Sequence, residues 1–348
     1  MTKVTYLIGA GASALGVPPI NKIPAKLAEF KKFMEDTIVN IEVVREIASR
    51  AGKKSASAIY PDILETISEI LNNINSYTSI DSYAKELIDS GRDKKYNKLK
   101  AVTSFFIIYE QIKNQIDPRY RSFLINISGG FRGAFQGNIK VLSWNYDFQF
   151  EKAYSKIYED NDIRKIQELL RIYPNDSPGY PRATDSFSIF KLNGTTSFSA
   201  SNRQKLIHPI EDLSYEDLGQ LPSIFFRYYF LNVYAGEAEN VLSFAWETNN
   251  NKSRNTLDVA KLSIENTQVL VIIGYSFPDF NIPIDTELFD ILTPGLKEIY
   301  IQDLDPQRVK NRVISLFLPE YEPLKFSLET INKDIPSDFV RPHQIFRK

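Results

Sequence analysis

The chain of 348 residues has no cysteine and only two histidines, His208 and His343. The first absence removes disulfides, thiol nucleophiles and cysteine-ligated zinc, and the second removes a histidine-built metal site, so no metal is expected. Surplus charge is missing too. Forty-two Lys and Arg stand against 43 Asp and Glu, a net charge of −1, which gives no overall pull on nucleic acid or an anionic membrane. Long apolar runs are also lacking. The run Val4–Ile8 is too short for a signal-peptide core, and no segment reaches transmembrane length. The expectation is a cytoplasmic protein with neither nucleic acid nor membrane as partner.

A hydrophobic share of 43% and an aromatic share of 13% suffice for a packed core. Five short apolar, β-branched segments read as strands: Val4–Ile8, 139–144, 187–192, Val269–Ile273 and 298–302. The first, second and fourth read as continuous apolar runs rather than strict alternation, as expected for strands buried on both faces of a parallel sheet. Each is followed by glycine or a small polar residue, and ligands of open parallel sheets bind at the carboxyl ends of strands. Between the first two lies helical spacing over 24–34, 39–50, 61–74, 82–90 and 96–115. Pro61 suits a first helical turn, and the charged 91–100 segment reads as a surface loop. A helix over 255–266 leads into the strand at Val269, and another covers 286–292. The expected fold is α/β: a Rossmann-like parallel sheet from 1–24 and 136–348, with a large helical insertion at 25–135.

Five motifs sit at these strand ends. Gly9-Ala10-Gly11-Ala12-Ser13 follows the first strand and, with Ala14, fits a relaxed dinucleotide fingerprint. Its glycines would let amides approach a pyrophosphate ahead of a helix N-terminus, and Ser13 could donate to phosphate or ribose. Ser143-Trp144-Asn145-Tyr146-Asp147 places an amide beside a carboxylate on a turn. Lys191-Leu192-Asn193-Gly194, Gly274-Tyr275-Ser276-Phe277-Pro278 (followed by Asp285) and Tyr300-Ile301-Gln302-Asp303 complete the set. A dehydrogenase should show a second strand ending in Asp or Glu about twenty residues after the glycines. This chain turns instead into Val17-Pro18-Pro19 and helix, which weakens a hydride-transfer reading.

In order, the five motifs resemble those of bacterial sirtuin-like NAD-consuming domains, over about 1–24 and 136–305. The resemblance implies NAD as ligand, with Gly9, Ala10, Gly11 and Ser13 against the pyrophosphate and ribose. It implies Asn145 at the nicotinamide ribose and attacking water, and Asp147 beside the nicotinamide. Gly274 and Ser276 would meet the adenosine half, and Gln302 and Asp303 its ribose. Relatives of this kind act in antiphage defence, which implies an NAD hydrolase, a homo-oligomer or a defence-system partner. Two departures follow. Without cysteine there is no zinc module, which argues against lysine deacylation. Where the family has a catalytic histidine stands Asn193, which can orient and hydrogen-bond but not take up a proton. His208 is a candidate replacement base, although a packing histidine is the simpler reading. An alternative is therefore an impaired module that senses NAD or ADP-ribose. The aromatic run at 225–230 reads as a buried face or oligomer contact.

Overall fold

The computed structural model describes residues 1–77, 79–128, 135–175, 186–200, 206–212, 218–247, 251–318, 324–331 and 338–342. His343 lies outside them. Ten strands run in chain order among these residues: β1 Val4–Ile8, β2 Ile139–Ser143, β3 Ile172–Tyr173, β4 Ser188–Lys191, β5 Phe198–Ala200, β6 Leu206–Ile207, β7 Ala238–Asn240, β8 Val269–Ile273, β9 Glu298–Asp303 and β10 Lys325–Thr330. The chain divides into two compact units, Met1–Leu15 with Ile116–Gly194 and Ala245–Lys348, and Gly16–Gln115 with Thr195–Phe244.

The first unit holds a seven-stranded sheet in the order β10-β9-β8-β1-β2-β4-β3, with every neighbouring pair parallel. It is an α/β fold with a Rossmann-like parallel sheet. Alternation explains the apolar strands. Val4, Tyr6 and Ile8 of β1 face the helices Pro118–Ile127, Gln149–Tyr158 and Ile163–Leu170, alongside Val141, Ile189 and Val271. Leu7, Leu142, Ile272 and Ile301 face the helices Asn251–Ile264, Ile282–Leu292 and Pro306–Phe317. Each buried aliphatic side chain contributes about 1.5–3 kcal/mol, more than the whole span of strand propensities at about 1 kcal/mol. Burial on two faces, rather than propensity, fixes these strands.

The chain passes from β1 to β2 and β4 on one side, then later to β8, β9 and β10 on the other. The order therefore reverses between β1 and β8, and a ligand crevice is expected at the carboxyl ends of these two strands.

The second unit combines the helices Ile23–Asp36, Ile41–Ala51, Lys53–Ile74, Ile80–Asp89, Asp93–Lys113 and Leu221–Tyr229 with an antiparallel sheet, β6-β5-β7. Its core is aromatic. Phe105 stacks on Phe225 at 4.3 Å, and Phe198 on Tyr228 at 5.2 Å. The aromatic run from Phe225 is thus a packed face.

Several expectations change. Helix Pro118–Ile127 buries Tyr120, Phe123, Leu124 and Ile127 against the sheet, so Ile116 onward belongs with the sheet rather than with an insertion at 25–135. Conversely, Thr195–Phe244 joins the helical unit. Pro61 lies inside helix Lys53–Ile74, not in its first turn. The missing N–H interrupts one internal bond, and the helix is carried across it by buried Ile59, Ile63, Ile67 and Ile70. Most of the charged 91–100 segment is helix, which starts at Asp93 and buries Leu99 and Lys100. Among the described residues no helix is long and apolar enough to cross a membrane.

Candidate functional site

The site is built from loops leaving adjacent parallel strands. After β1 the chain makes a single 3-10 turn, Ala10–Ser13. The α-helix expected to follow the glycines is not there, because the next one, Ile23–Asp36, belongs to the second unit. The glycines serve a different need. Gly9 N–H donates to Ile273 O and Gly11 N–H to Gly274 O, both at 3.0 Å. A Cβ on Gly9 would meet Gly274 O at 2.6 Å, and one on Gly11 would meet Gly274 Cα at 2.8 Å. Two backbones lie in direct contact here, and only glycine permits it. The amides of Gly9 and Gly11 are spent on this contact, so a pyrophosphate would have to be met by other groups of the turn. Ala10 is exposed there.

The turn after β2 docks beside this loop. Trp144 N–H donates to Ile8 O at 3.0 Å. Asn145 is buried, and its Nδ2 donates to Gly9 O at 2.9 Å and to Ser13 Oγ at 3.0 Å. Ser13 Oγ also shares a 2.7 Å hydrogen bond with Tyr120 Oη. Glycine loop, Asn145 and Tyr120 therefore form one buried polar network. Burial, and secondarily Asp147, holds the Tyr120 hydroxyl protonated, its pKa well above the usual phenol value. Asp147 is buried as well and accepts from Gln149 N–H at 3.1 Å. Burial pushes its pKa up, and Ser13 and Lys191 draw it back.

Lys191 closes β4. Its Nζ donates to Asp147 O at 2.7 Å and pairs with Glu151 Oε1 at 2.6 Å, with both side chains almost fully buried. The adjacent Asn193 is held on a tight turn, with Gly194 at φ 71°. Its Nδ2 reaches Trp144 O at 3.4 Å and Tyr146 Oη at 3.5 Å. Its Oδ1 is buried and accepts no hydrogen bond among the described residues. Such an orphaned acceptor calls for a partner.

On the β8 side, Gly274 has φ +56°, and its N–H donates to Gln302 O at 2.9 Å. Ser276 is exposed and Asp303 half-buried. Gln302 is fully buried. Its Nε2 donates to Glu329 Oε1 and Asp338 O, and its Oε1 accepts from Val340 N–H. The Gln302 amide thus ties down β10 and the 338–340 segment, whereas Asp303, the other residue expected at a ribose, is half-buried at the strand end. His208 lies in the second unit, buried, with Nδ1 2.6 Å from Ser197 Oγ. That hydroxyl in turn accepts from Thr195 at 2.7 Å.

Arg119 and Tyr120 escaped the sequence reading. Arg119 Nη2 donates to Gly11 O and Ala12 O, each at 3.0 Å, and pairs with Asp117 at 2.7 Å. Its Nη1 is buried with no acceptor among the described residues. A signal existed. Asp117 caps the helix Pro118–Ile127, with proline in its first turn, a start pattern legible in sequence. Among the described residues no group of three or more His, Asp or Glu could hold a metal. No protein-family model matches the chain, and no curated protein matches it significantly in sequence.

Proposed function

We propose that the chain binds NAD at the carboxyl end of its parallel sheet and hydrolyses the nicotinamide–ribose bond. The observation that carries this reading is convergence. The loops bearing Gly9–Ser13, Asn145, Asp147, Asn193 and Gly274 leave β1, β2, β4 and β8 side by side, where the strand order reverses. The reaction needs few proton transfers. The C1′–N bond breaks with its electron pair passing to the pyridinium nitrogen, so nicotinamide leaves neutral. Water bonds to C1′ and releases a proton, and the sugar passes through an oxocarbenium-like state by analogy with glycoside hydrolysis. The catalytic work is therefore chiefly positioning and charge stabilisation.

Asn145 suits the first task. Its amino end is committed to Gly9 and Ser13, so its carbonyl end is the one to accept from a water or ribose hydroxyl. The orphaned Oδ1 of Asn193 is a second acceptor for such a donor. Asp147, when ionised, supplies negative charge beside the developing cation. An antiphage role, with a homo-oligomer or defence-system partner, belongs to the same proposal and rests on the resemblance alone.

Asn193 favours a second reading, a module that senses NAD or ADP-ribose without cleaving it, because an amide cannot replace the proton uptake of histidine. Mass-spectrometric analysis of products from NAD separates the two, run with the parent, Asn145→Ala and Asn193→His. Nicotinamide release by the parent that vanishes in Asn145→Ala supports the hydrolase. Release only by Asn193→His supports the sensor. Calorimetry that detects binding of neither NAD nor ADP-ribose by any of the three would sink both.

A further inference from the structure

Asp285 lies fully buried in the helix Ile282–Leu292 and has no part in the chemistry above. Its two oxygens take one donor each from two different loops. Trp144 Nε1 donates to Oδ1 at 3.2 Å, and Tyr275 Oη donates to Oδ2 at 2.6 Å. The two rings stack with centroids 6.1 Å apart and 19° between their planes. Asn281 Nδ2 completes the group by donating to Tyr275 Oη at 2.9 Å. Trp144 immediately precedes Asn145, and Tyr275 immediately follows Gly274. One carboxyl group thus ties the turn after β2 to the turn after β8, one residue away from the candidate site on each side.

An apolar side chain could fill this space without the cost of burying a carboxyl group. What it could not supply is a rigid pair of acceptors for two donors on separate loops. We propose that Asp285 is a positioning residue for the candidate NAD site: its carboxylate clamps the 144–147 turn to the 274–276 turn and thereby sets where Asn145 stands. The clamp stands on the geometry just given, and only the identity of the ligand rests on the NAD reading.

The clamp has a built-in weak state. An indole N–H only donates, so Oδ1 must remain an acceptor and any proton on the carboxyl group sits on Oδ2. There it meets the Tyr275 O–H and forces that hydroxyl to turn away. Burial raises the Asp285 pKa, the bonds from Tyr275 and Trp144 and the charge of Arg312 oppose it, and the balance leaves it pushed up to about 7. Arg312 comes from the helix Pro306–Phe317 and is itself held by Asp279 at 2.5 Å and Phe277 O at 2.7 Å. From the helix Asn251–Ile264, Lys261 pairs with Glu287.

The test uses the full-length Trp246→Phe protein, in which Trp144 is the one remaining tryptophan. Its emission is followed from about pH 5.5 to about pH 8.5, a window that brackets ordinary histidine and the raised carboxyl group. The expected result is a step near pH 7 that is lost in Asp285→Asn. In Tyr275→Phe, which removes a bond favouring the ionised form, the step should move to higher pH. Both histidines remain in place in these variants, so loss of the step assigns it to Asp285. A step that survives in Asp285→Asn overturns the inference, and so does an unmoved midpoint in Tyr275→Phe. Calorimetry with NAD supplies the second arm. Asp285→Asn, which mimics the protonated group, should bind NAD on the order of tenfold more weakly than the parent near pH 8, with the two converging near pH 6. Equal affinities at both pH values overturn the positioning role. A parent that shows the step but binds no NAD supports the clamp and removes the NAD reading, so the two fail separately.

Discussion

Replacing Gly274 by alanine tests whether backbone contact between two loops organises the site. The residue sits at φ +56°, and an added Cβ would lie 2.5 Å from both Ala12 N and Gly11 C. Ordinary carbon contacts begin near 3.5 Å, so the overlap is roughly 1 Å. The opposing atoms are backbone and cannot swing aside. Two costs then combine. The left-handed conformation costs an alanine about 1–2 kcal/mol, and separating two packed loops costs about 1–3 kcal/mol more. Gly91 provides the control, because it has φ +69° with nothing within 4 Å of an added Cβ. Gly91→Ala should therefore carry only the first cost. Urea unfolding of both variants measures the difference, each midpoint read against the parent transition of its own unit where the two unfold separately. Gly274→Ala should also lose NAD-dependent thermal stabilisation, which Gly91→Ala should keep. Equal destabilisation by the two substitutions would refute the claim that loop contact, and not φ alone, requires glycine at 274.

Three further perturbations follow from the same geometry. Lys191→Met leaves Glu151 charged and buried without its 2.6 Å partner. It should destabilise by about 3–5 kcal/mol, and a Lys191→Met/Glu151→Leu double variant should recover much of that loss in urea unfolding. Tyr120→Phe removes the 2.7 Å bond to Ser13 and should cost about 0.5–1.5 kcal/mol, with a larger proportional loss of NAD affinity than of stability, measured by calorimetry. Asp285→Asn should change the pH dependence of stability. The folded carboxyl group keeps its proton up to about pH 7, against an ordinary value of 3.8, so parent stability falls as pH rises through that interval while the amide variant does not titrate. Urea midpoints at pH 5 and pH 8 should therefore show the variant gaining on the parent at the higher pH, by on the order of a few kcal/mol at most. An unchanged gap would contradict this.

Much of the sheet was legible because β1, β2 and β8 are buried at every position and so are mostly apolar, Thr5, Lys140 and Ser143 excepted. Strands without that property were invisible. β10 is half-exposed, β3 has only two residues, and the small antiparallel sheet is assembled from pieces of two or three residues. The helix Pro118–Ile127 escaped for another reason. Its sequence has the same amphipathic character as its neighbours, and only Tyr120 and Phe123 meeting Tyr6 and Phe150 across the sheet face settle which unit it joins. Periodicity says that a face is buried and is silent about what buries it. The site divides along the same line. Residues at strand ends, such as Asn145 and Asn193, could be picked out because position on a strand implies position in the crevice. Arg119 reaches the glycine loop from 108 residues on in sequence. Asp285 was legible only as a residue after the Gly274 motif, and its bond to Trp144 spans 141 residues.

The polar groups of the site fall into two classes, and the division bears on its chemistry. Asn145 Nδ2, Ser13 Oγ, Tyr120 Oη and the amides of Gly9 and Gly11 are already satisfied by one another or by adjacent backbone. They hold the loops in place before any ligand arrives, which is what preorganisation requires. Asn193 Oδ1 and Arg119 Nη1 are buried with no partner among the described residues. Burying an unsatisfied polar group costs about 1–3 kcal/mol, a cost that a ligand or water bonded to it would offset. An acceptor at Asn193 and a cationic donor beneath the glycine loop suit a molecule with hydroxyls at one end and anionic oxygens at the other, as NAD and ADP-ribose both have. On the proposed reading, binding comes first and hydrolysis depends on it. An amide at position 193 can hold a hydroxyl as well as an imidazole can, but it cannot accept the proton released when water attacks.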